Sequence, residues 1–347
     1  MNRRNSKSEK IDIFAVANKA GVSPATVSRA FNHPDLVKPE TRNRIEDAVR
    51  GLGYIRNRAA QTIHGKRSGT IGLVVPVVAN VIFSELIQAF SEVAEETGFT
   101  ILIATHGFDL KKEEVVLRKL LEHRVDGIAL IGLDHLDATY VLVEQQKIPA
   151  IAMWNFDDKS RLSCVGVDNH EAGYLAAKHL SDLGHKKIAL AMPPTEENDR
   201  ARARAKGARI ALAEAGLEAK EGWTVEALYE VAHAKQACLE LLSGDDRPTA
   251  LVCGNDVIAK SALFAAQRLK LSVPEDLSIV GIGDFSGSAD LEPPMTTVRI
   301  PATRIGRQAM HHLAISIAES NVTDIMRSKL DVNLMVRGST AIPPQNS

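Results

Sequence analysis

From Thr70 onward, short apolar runs alternate with longer stretches of helical periodicity, a rhythm that few folds accommodate. The runs are "TIGLVVP", "TILIAT", "DGIALIG", "PAIAMW", "SCVGVD", "KIALAM", "TALVCG" and "LSIVGIG"; between them lie helical patterns such as "VIFSELIQAFSEVAEETG", "HEAGYLAAKHLSDLG" and "VIAKSALFAAQRLK". Alternating strand and helix requires parallel sheets with helices on both faces. Eight such strands over about 270 residues exceed one compact sheet, so two similar doubly wound lobes are expected. Ligands of open parallel sheets sit beyond the carboxyl ends of the strands, which makes Asn80, Asn155, Asn198, Asn255 and Asp284 converge on a candidate site. Each of these, taken singly, also serves as an ordinary loop residue or helix cap. As a set they suit a hydroxyl-rich ligand.

The amino-terminal segment obeys different rules. In "GVSPATVSRAFN", Pro24 is tolerated only at a first helical position, where its missing N–H costs nothing, and Ser23 fits the N-cap. A helix therefore starts here, burying Val27 and Ala30 with Phe31 beside them and leaving Thr26, Ser28, Arg29 and Asn32 outward. Ahead of it, "IDIFAVANKAG" places small Ala17 four residues before Gly21, so that two short helices can cross through a glycine turn and bury Val16, Val22 and Val27 together. This is helix-turn-helix spacing, in which the start of the second helix meets base edges in the major groove. Pro24, Ala25, Thr26, Ser28 and Arg29 are the exposed candidates, Arg29 being able to fork onto guanine O6 and N7. "KPETRNRIEDAVRGLGY" predicts a third helix with Ile45, Ala48, Val49 and Leu52 as its buried stripe and Gly51 or Gly53 as its stop.

Charge agrees with this division. The net charge of -1 conceals fourteen Lys/Arg against six Asp/Glu in residues 1–67, leaving 28 against 37 in the remainder. A local cationic excess is what phosphate neutralisation requires. Residues 55–69, "IRNRAAQTIHGKRSG", are too short to hold a helix alone; they read equally as a linker that folds on a partner or as a solvated tether.

Other classes find little support. Three cysteines without a CxxC or Cys/His cluster argue against a disulfide framework or structural zinc site, and the eleven histidines show no metal-ligand spacing. The most apolar stretch, Ile71 to Phe83, is broken by Pro76 and Asn80 and is too short for a bilayer span. "GIGDFS" lacks the third glycine of a dinucleotide fingerprint, and "TIHGKRS" lacks the upstream glycine of a phosphate loop. A cytoplasmic protein without cofactor or metal is expected; spacing alone does not decide for or against a catalytic serine, histidine or cysteine triad, and the non-enzymatic reading comes from the resemblance below.

Taken in order, "IDIFAVANKAGVSPATVSRAFN", "VKPETRNRIEDAVRGLGYIRNRAA", "GTIGLVVP", "RVDGIALIG", "VDNHEAGYLAAKHLSDLGHKKIALA", "RARAKGARIAL", "RPTALVCGND", "VPEDLSIVGIGD" and "PPMTTVRIP" resemble the lactose-repressor (LacI/GalR) family of bacterial transcription regulators over residues 10 to 340. The resemblance implies an all-α helix-turn-helix headpiece (1–55), a hinge helix or linker (56–68), and a periplasmic-binding-protein-like core (69–340) of two doubly wound parallel-sheet lobes. One lobe would comprise 69–168 with 297–329 and the other 169–296 with 330–340, followed by a tail, 341–347. It implies a homodimeric repressor on a palindromic operator, governed by a small effector between the lobes. The tail lacks a leucine heptad, which favours a dimer over a tetramer held by a terminal coiled coil.

Residue by residue, the resemblance places Pro24 and Ala25 at the pair that selects the operator, Arg29 at the shared major-groove arginine, and Ser23, Thr26, Ser28 and Asn32 on phosphates and neighbouring bases. Asn57 keeps its usual place, Ile63 stands where the family carries a minor-groove leucine wedge, and Arg56 replaces a proline, leaving the entrance to the hinge less fixed. In the core it places Asn80, Phe83, Arg204, Tyr229, Asn255 and Asp256 at or near the effector, with Trp154 and Asn155 near a usual Asp. Gly283 replaces the first of two acidic residues, of which Asp284 remains. Fewer carboxylates beside a retained arginine suit an anionic effector such as a sugar acid, with a neutral sugar as the other candidate.

Overall fold

The headpiece is built by capping. Ser23 Oγ accepts from Thr26 N at 3.1 Å and starts the second helix, α2 (Pro24–Asn32), with Pro24 at its first position. The first helix, α1 (Ile13–Ala20), begins on the Asp12 carboxylate and ends at Gly21, whose left-handed φ of 63° lets the N–H groups of Gly21 and Val22 fold back onto Ala17 and Asn18 carbonyls. A third helix, α3 (Pro39–Leu52), stops at left-handed Gly53. Val16 and Val27 are fully buried, and Ala17, Ala20, Ala30, Ile45 and Ala48 complete a small core against which Val22, Phe31, Val49, Leu52 and Tyr54 pack. Because a Cβ at Gly21 would meet only Arg44 Nη1, at an ordinary contact distance of 3.9 Å, alanine there adds backbone strain alone. Gly21→Ala should cost the headpiece about 1–2 kcal/mol, read as faster amide exchange at Val27 with the core strands unchanged.

The structure is a computed structural model and describes residues 11–56, 67–79, 81–218, 220, 222–319 and 325–344, Ile82 by its backbone alone. The expectations for Asn57, Ile63 and Asn80, and most of the linker, lie outside those residues. The chain forms two compact units, Met1–Ser68 and Gly69–Ser347.

Within the second unit, two six-stranded sheets are formed. The first has β1 (Thr70–Val75) beside β2 (Thr100–Thr105) on one flank and, on the other, β3 (Gly127–Ile131), β4 (Ala150–Asn155), β5 (Ser163–Val167) and β11 (Arg327–Leu330), all parallel. The second has β6 (Ile188–Met192) beside β7 (Thr224–Glu226) and continues through β8 (Ala250–Cys253), β9 (Ser278–Gly283) and β10 (Thr296–Arg299) to β12 (Asn333–Met335). β12 runs antiparallel to β10, so this lobe carries one antiparallel edge. Helices cover both faces, which is why the central strands read as unbroken apolar runs rather than alternating ones.

The eight expected strands are present. The short β7, β10, β11 and β12 complete the sheets. β10 corrects the expected lobe boundary: it pairs with β9, so residues 297–299 belong to the second lobe, and the crossing falls after Arg299. The chain returns through α11 (Ala302–Glu319), which packs on α4 (Val81–Glu96) of the first lobe, and crosses again between β11 and β12. Three crossings leave the strand ends of both lobes facing each other.

Candidate functional site: an interlobe chamber and an exposed helix start

In the headpiece, Ser23, Ala25 and Arg29 are exposed, whereas Pro24, Thr26, Ser28 and Asn32 are partly covered. Arg29 has no ion-pair partner among the described residues, as a base reader requires. Asn32 departs from expectation. Its amide donates to Ser28 O at 2.8 Å and its Oδ1 accepts from Arg56, which also donates to Phe31 O and lies 5.3 Å from the Phe31 ring centroid. Asn32 is thus spent inside the headpiece, and Arg56 is fixed to the carboxyl end of α2, where a cation meets the exposed carbonyls. The expected looseness at Arg56 is corrected accordingly.

The core site is assembled by a buried polar relay from lobe to lobe. Asp199 opens α8 (Asp199–Glu214) in the second lobe. Its carboxylate accepts from Leu133 N (2.7 Å) and Asn155 Nδ2 (2.6 Å) of the first lobe, and from Arg200 N and Nη1 (2.8 and 3.0 Å). Asn155 Oδ1 in turn accepts from Asn169 Nδ2 at 2.8 Å, and Asn169 Oδ1 from Arg204 Nε at 2.8 Å, while Arg204 Nη1 donates to Gly254 O at 2.8 Å. Asn169 begins α7 (Asn169–Asp182), which crosses α8 where Gly173 and Gly207 allow the backbones to meet. Further ties close the cleft: Tyr229 stacks on Phe108 at 5.1 Å, Ser286 N donates to Glu85 Oε1 at 3.0 Å, and Arg202 pairs with Asp134 at 2.6 Å.

Phe83, Trp154, Arg200, Arg204, Tyr229, Asn255 and Phe285 enclose an inner chamber of about 20 Å³. Tyr229 and Phe285 also border an outer cavity of about 640 Å³, which reaches Phe108, Val257, Lys260 and Ser288. Trp154, at a left-handed φ of 88°, lies with its ring centroid 5.4 Å from that of Phe83. Its Nε1 is buried without an acceptor among the described residues. Burial pushes the Arg204 guanidinium down to about 10, so it stays charged at neutral pH.

Several expected effector contacts are otherwise engaged. Asn155 holds Asp199, and Asn198 caps α8 through Ala201 N while donating to Pro194 O and to Tyr229 Oη (2.9 Å). Asn255 Oδ1 caps α10 (Asp256–Arg268), leaving its amide N–H groups. Asp256 borders the outer cavity, but its carboxylate accepts from Thr297 Oγ1, Ser288 Oγ and Phe285 N at 2.6, 2.7 and 2.9 Å. Burial raises its pKa against the pull of these bonds. Asp284 lines neither chamber nor cavity: it pairs with Arg299 and Arg337, each at 2.7 Å. Burial pushes its carboxyl up, but the hydrogen bonds from Arg337 and Arg299 outweigh this and hold it below the usual range. At Gly283, a Cβ would run into the Phe285 ring at a φ of 142°, so an acidic residue has no room there.

Asp199, Arg200, Asn169, Phe108 and Phe285 were not expected at the site. One signal was available: Arg200 and Arg204 are four residues apart on α8 and so share a helix face.

A helix-turn-helix headpiece and, as a separate unit, a core of two doubly wound lobes around a polar chamber are the parts of a DNA-binding regulator. Residues 13–57 match the family "Bacterial regulatory proteins, lacI family", and residues 177–340 match "Periplasmic binding protein-like domain". The chain is 34% identical to the HTH-type transcriptional repressor CytR of Escherichia coli (strain K12) over 95% of its own length and 96% of the relative's. Among solved structures, the lac repressor dimer bound to operator and an anti-inducer superposes with TM-score 0.82 at 27% identity, covering 96% of this chain and 100% of that one. A complex of the transcriptional regulator CelR with cellobiose gives 0.70 at 28% identity, covering 95% and 99%. The chain belongs to the LacI family of bacterial transcriptional regulators.

Proposed function

We propose that this protein is a sequence-specific, dimeric repressor on a palindromic operator, and that a small polar effector, a sugar or sugar acid, controls its affinity from between the core lobes. One observation carries the reading: the chamber wall takes Phe83 and Trp154 from one lobe and Arg204, Tyr229 and Asn255 from the other, so a ligand there touches both and biases their relative position. A ligand alters an equilibrium only through such differential contacts. The relatives support the two halves separately, a sugar in the CelR complex and an operator under the lac repressor.

Operator choice is assigned to Arg29, Pro24 and Ala25. Proline and alanine offer apolar contact, suited to a thymine methyl, and Arg29 offers the fork that fits guanine. Ser23, Thr26 and Ser28 would position the headpiece on phosphates. Among the described residues no helix is long and apolar enough to cross a membrane.

Arg29→Ala should weaken operator binding by about 1–3 kcal/mol and leave effector affinity unchanged, measured by fluorescence anisotropy on operator and on scrambled duplex. An equal loss on both duplexes would demote Arg29 to a phosphate contact.

A further inference from the structure

The chamber is unusual in what its wall lacks. Of its side chains, Arg200 alone has a carboxylate partner, Asp199, whose other bonds go to Leu133 N, Asn155 Nδ2 and Arg200 N. Arg204 is 5% exposed and has no carboxylate partner among the described residues; it donates only to an amide oxygen and a peptide carbonyl. Asp256, the next acidic neighbour, is consumed by Thr297, Ser288 and Phe285. The remaining unmatched groups are donors. Trp154 Nε1 is orphaned, Asn255 has used Oδ1 on its own helix and keeps Nδ2, and Tyr229 accepts from Asn198 and so keeps its proton to give.

A buried cation without a counter-charge is costly, and a wall of donors is matched by a group that only accepts. Resting on the reading of the cleft as the effector site, we propose that the effector bears a carboxylate that enters the inner chamber and is held by Arg204, Trp154 and Asn255, with Arg200 as a second guanidinium beside it. The volume of about 20 Å³ suits the oxygen end of a carboxylate rather than a whole sugar ring. The body of the ligand then passes between Tyr229 and Phe285 into the outer cavity. A hydroxyl in the chamber would bring its own proton to a wall of donors, where only the second lone pairs of Asn255 Oδ1 and Tyr229 Oη are open to it, so a neutral sugar matches this wall less well than a carboxylate does.

The test is titration calorimetry and thermal melting of the full-length protein with matched pairs: D-gluconate with D-glucitol, D-glucuronate with D-glucose, and sodium formate with sodium chloride at equal ionic strength. We expect carboxylates, millimolar formate included, to raise the melting temperature, and a sugar acid to bind about tenfold or more tighter than its neutral partner. Arg204→Gln should erase that preference. Trp154→Phe, which keeps an aromatic ring beside Phe83 but loses the Nε1 donor together with the five-membered ring, should weaken the acid more than the neutral partner, and covers the case in which Arg204→Gln fails to fold. Absence of stabilisation by every carboxylate would overturn the proposal. So would a neutral sugar that binds as well as its acid; if that sugar also shifts operator affinity, the cleft reading survives while the carboxylate does not. Acid binding that ignores both substitutions and leaves operator affinity unmoved would sink the cleft reading itself.

Discussion

Asp199→Ala should lower the unfolding free energy of the core by about 3–5 kcal/mol, the largest loss expected from any single change at the site. The carboxylate is the only ion-pair partner of Arg200 among the described residues, and both side chains are about nine-tenths buried. Its removal strands a guanidinium and leaves the Leu133 N–H and the Asn155 amide facing a void. The penalty is therefore that of unpaired buried polar groups rather than the modest net value of the pair. Combining Asp199→Ala with Arg200→Met removes the stranded charge and should recover much of the loss. Urea unfolding of the two variants decides it. A cost below about 1 kcal/mol for Asp199→Ala would show that water takes over the role of the carboxylate.

The crossing of α7 and α8 should be almost as intolerant. A Cβ at Gly207 would meet the His170 carbonyl, and one at Gly173 the Arg204 carbonyl; both obstacles are backbone and neither can rotate aside. Gly207→Ala and Gly173→Ala should each cost about 1–3 kcal/mol or more, because relief requires parting two packed helices. Since Asn169 on α7 holds Arg204 on α8 across this crossing, the same variants should lose effector affinity while operator binding by the headpiece persists. Equal melting temperatures for wild type and Gly207→Ala would contradict the geometry.

The parts of this molecule that were legible in the chain are those whose causes lie within a few residues. Ser23 and Pro24 announce the start of α2 because a cap and a missing N–H act over a single turn, and Gly53 ends α3 for the same local reason. The strand runs announce a doubly wound core because burial on both faces makes them continuously apolar. Residues 297–299 of the short β10 fall in the second lobe rather than the expected first, because four residues carry no periodicity that tells one sheet from another.

The site divides along the same line. That the carboxyl ends of β4, β6 and β8 would meet follows from parallel topology, and Asn155, the last residue of β4, stands there with Asn198 and Asn255 beyond β6 and β8. Whether each faces a ligand or a neighbour does not follow. Asn155 is claimed by Asp199, 44 residues away, and Asp284 by Arg299 and Arg337, 15 and 53 positions on. Nothing in a stretch of chain specifies a partner that far off, since a hydrogen bond is a matter of a few tenths of an ångström between groups brought together only by the packing of whole elements. By itself the sequence determined the class of fold, the caps, the cationic head and the strand-end positions; the tertiary structure alone decided which polar groups there are already satisfied, and so left Arg204, Trp154 and Asn255 as the donors open to a ligand.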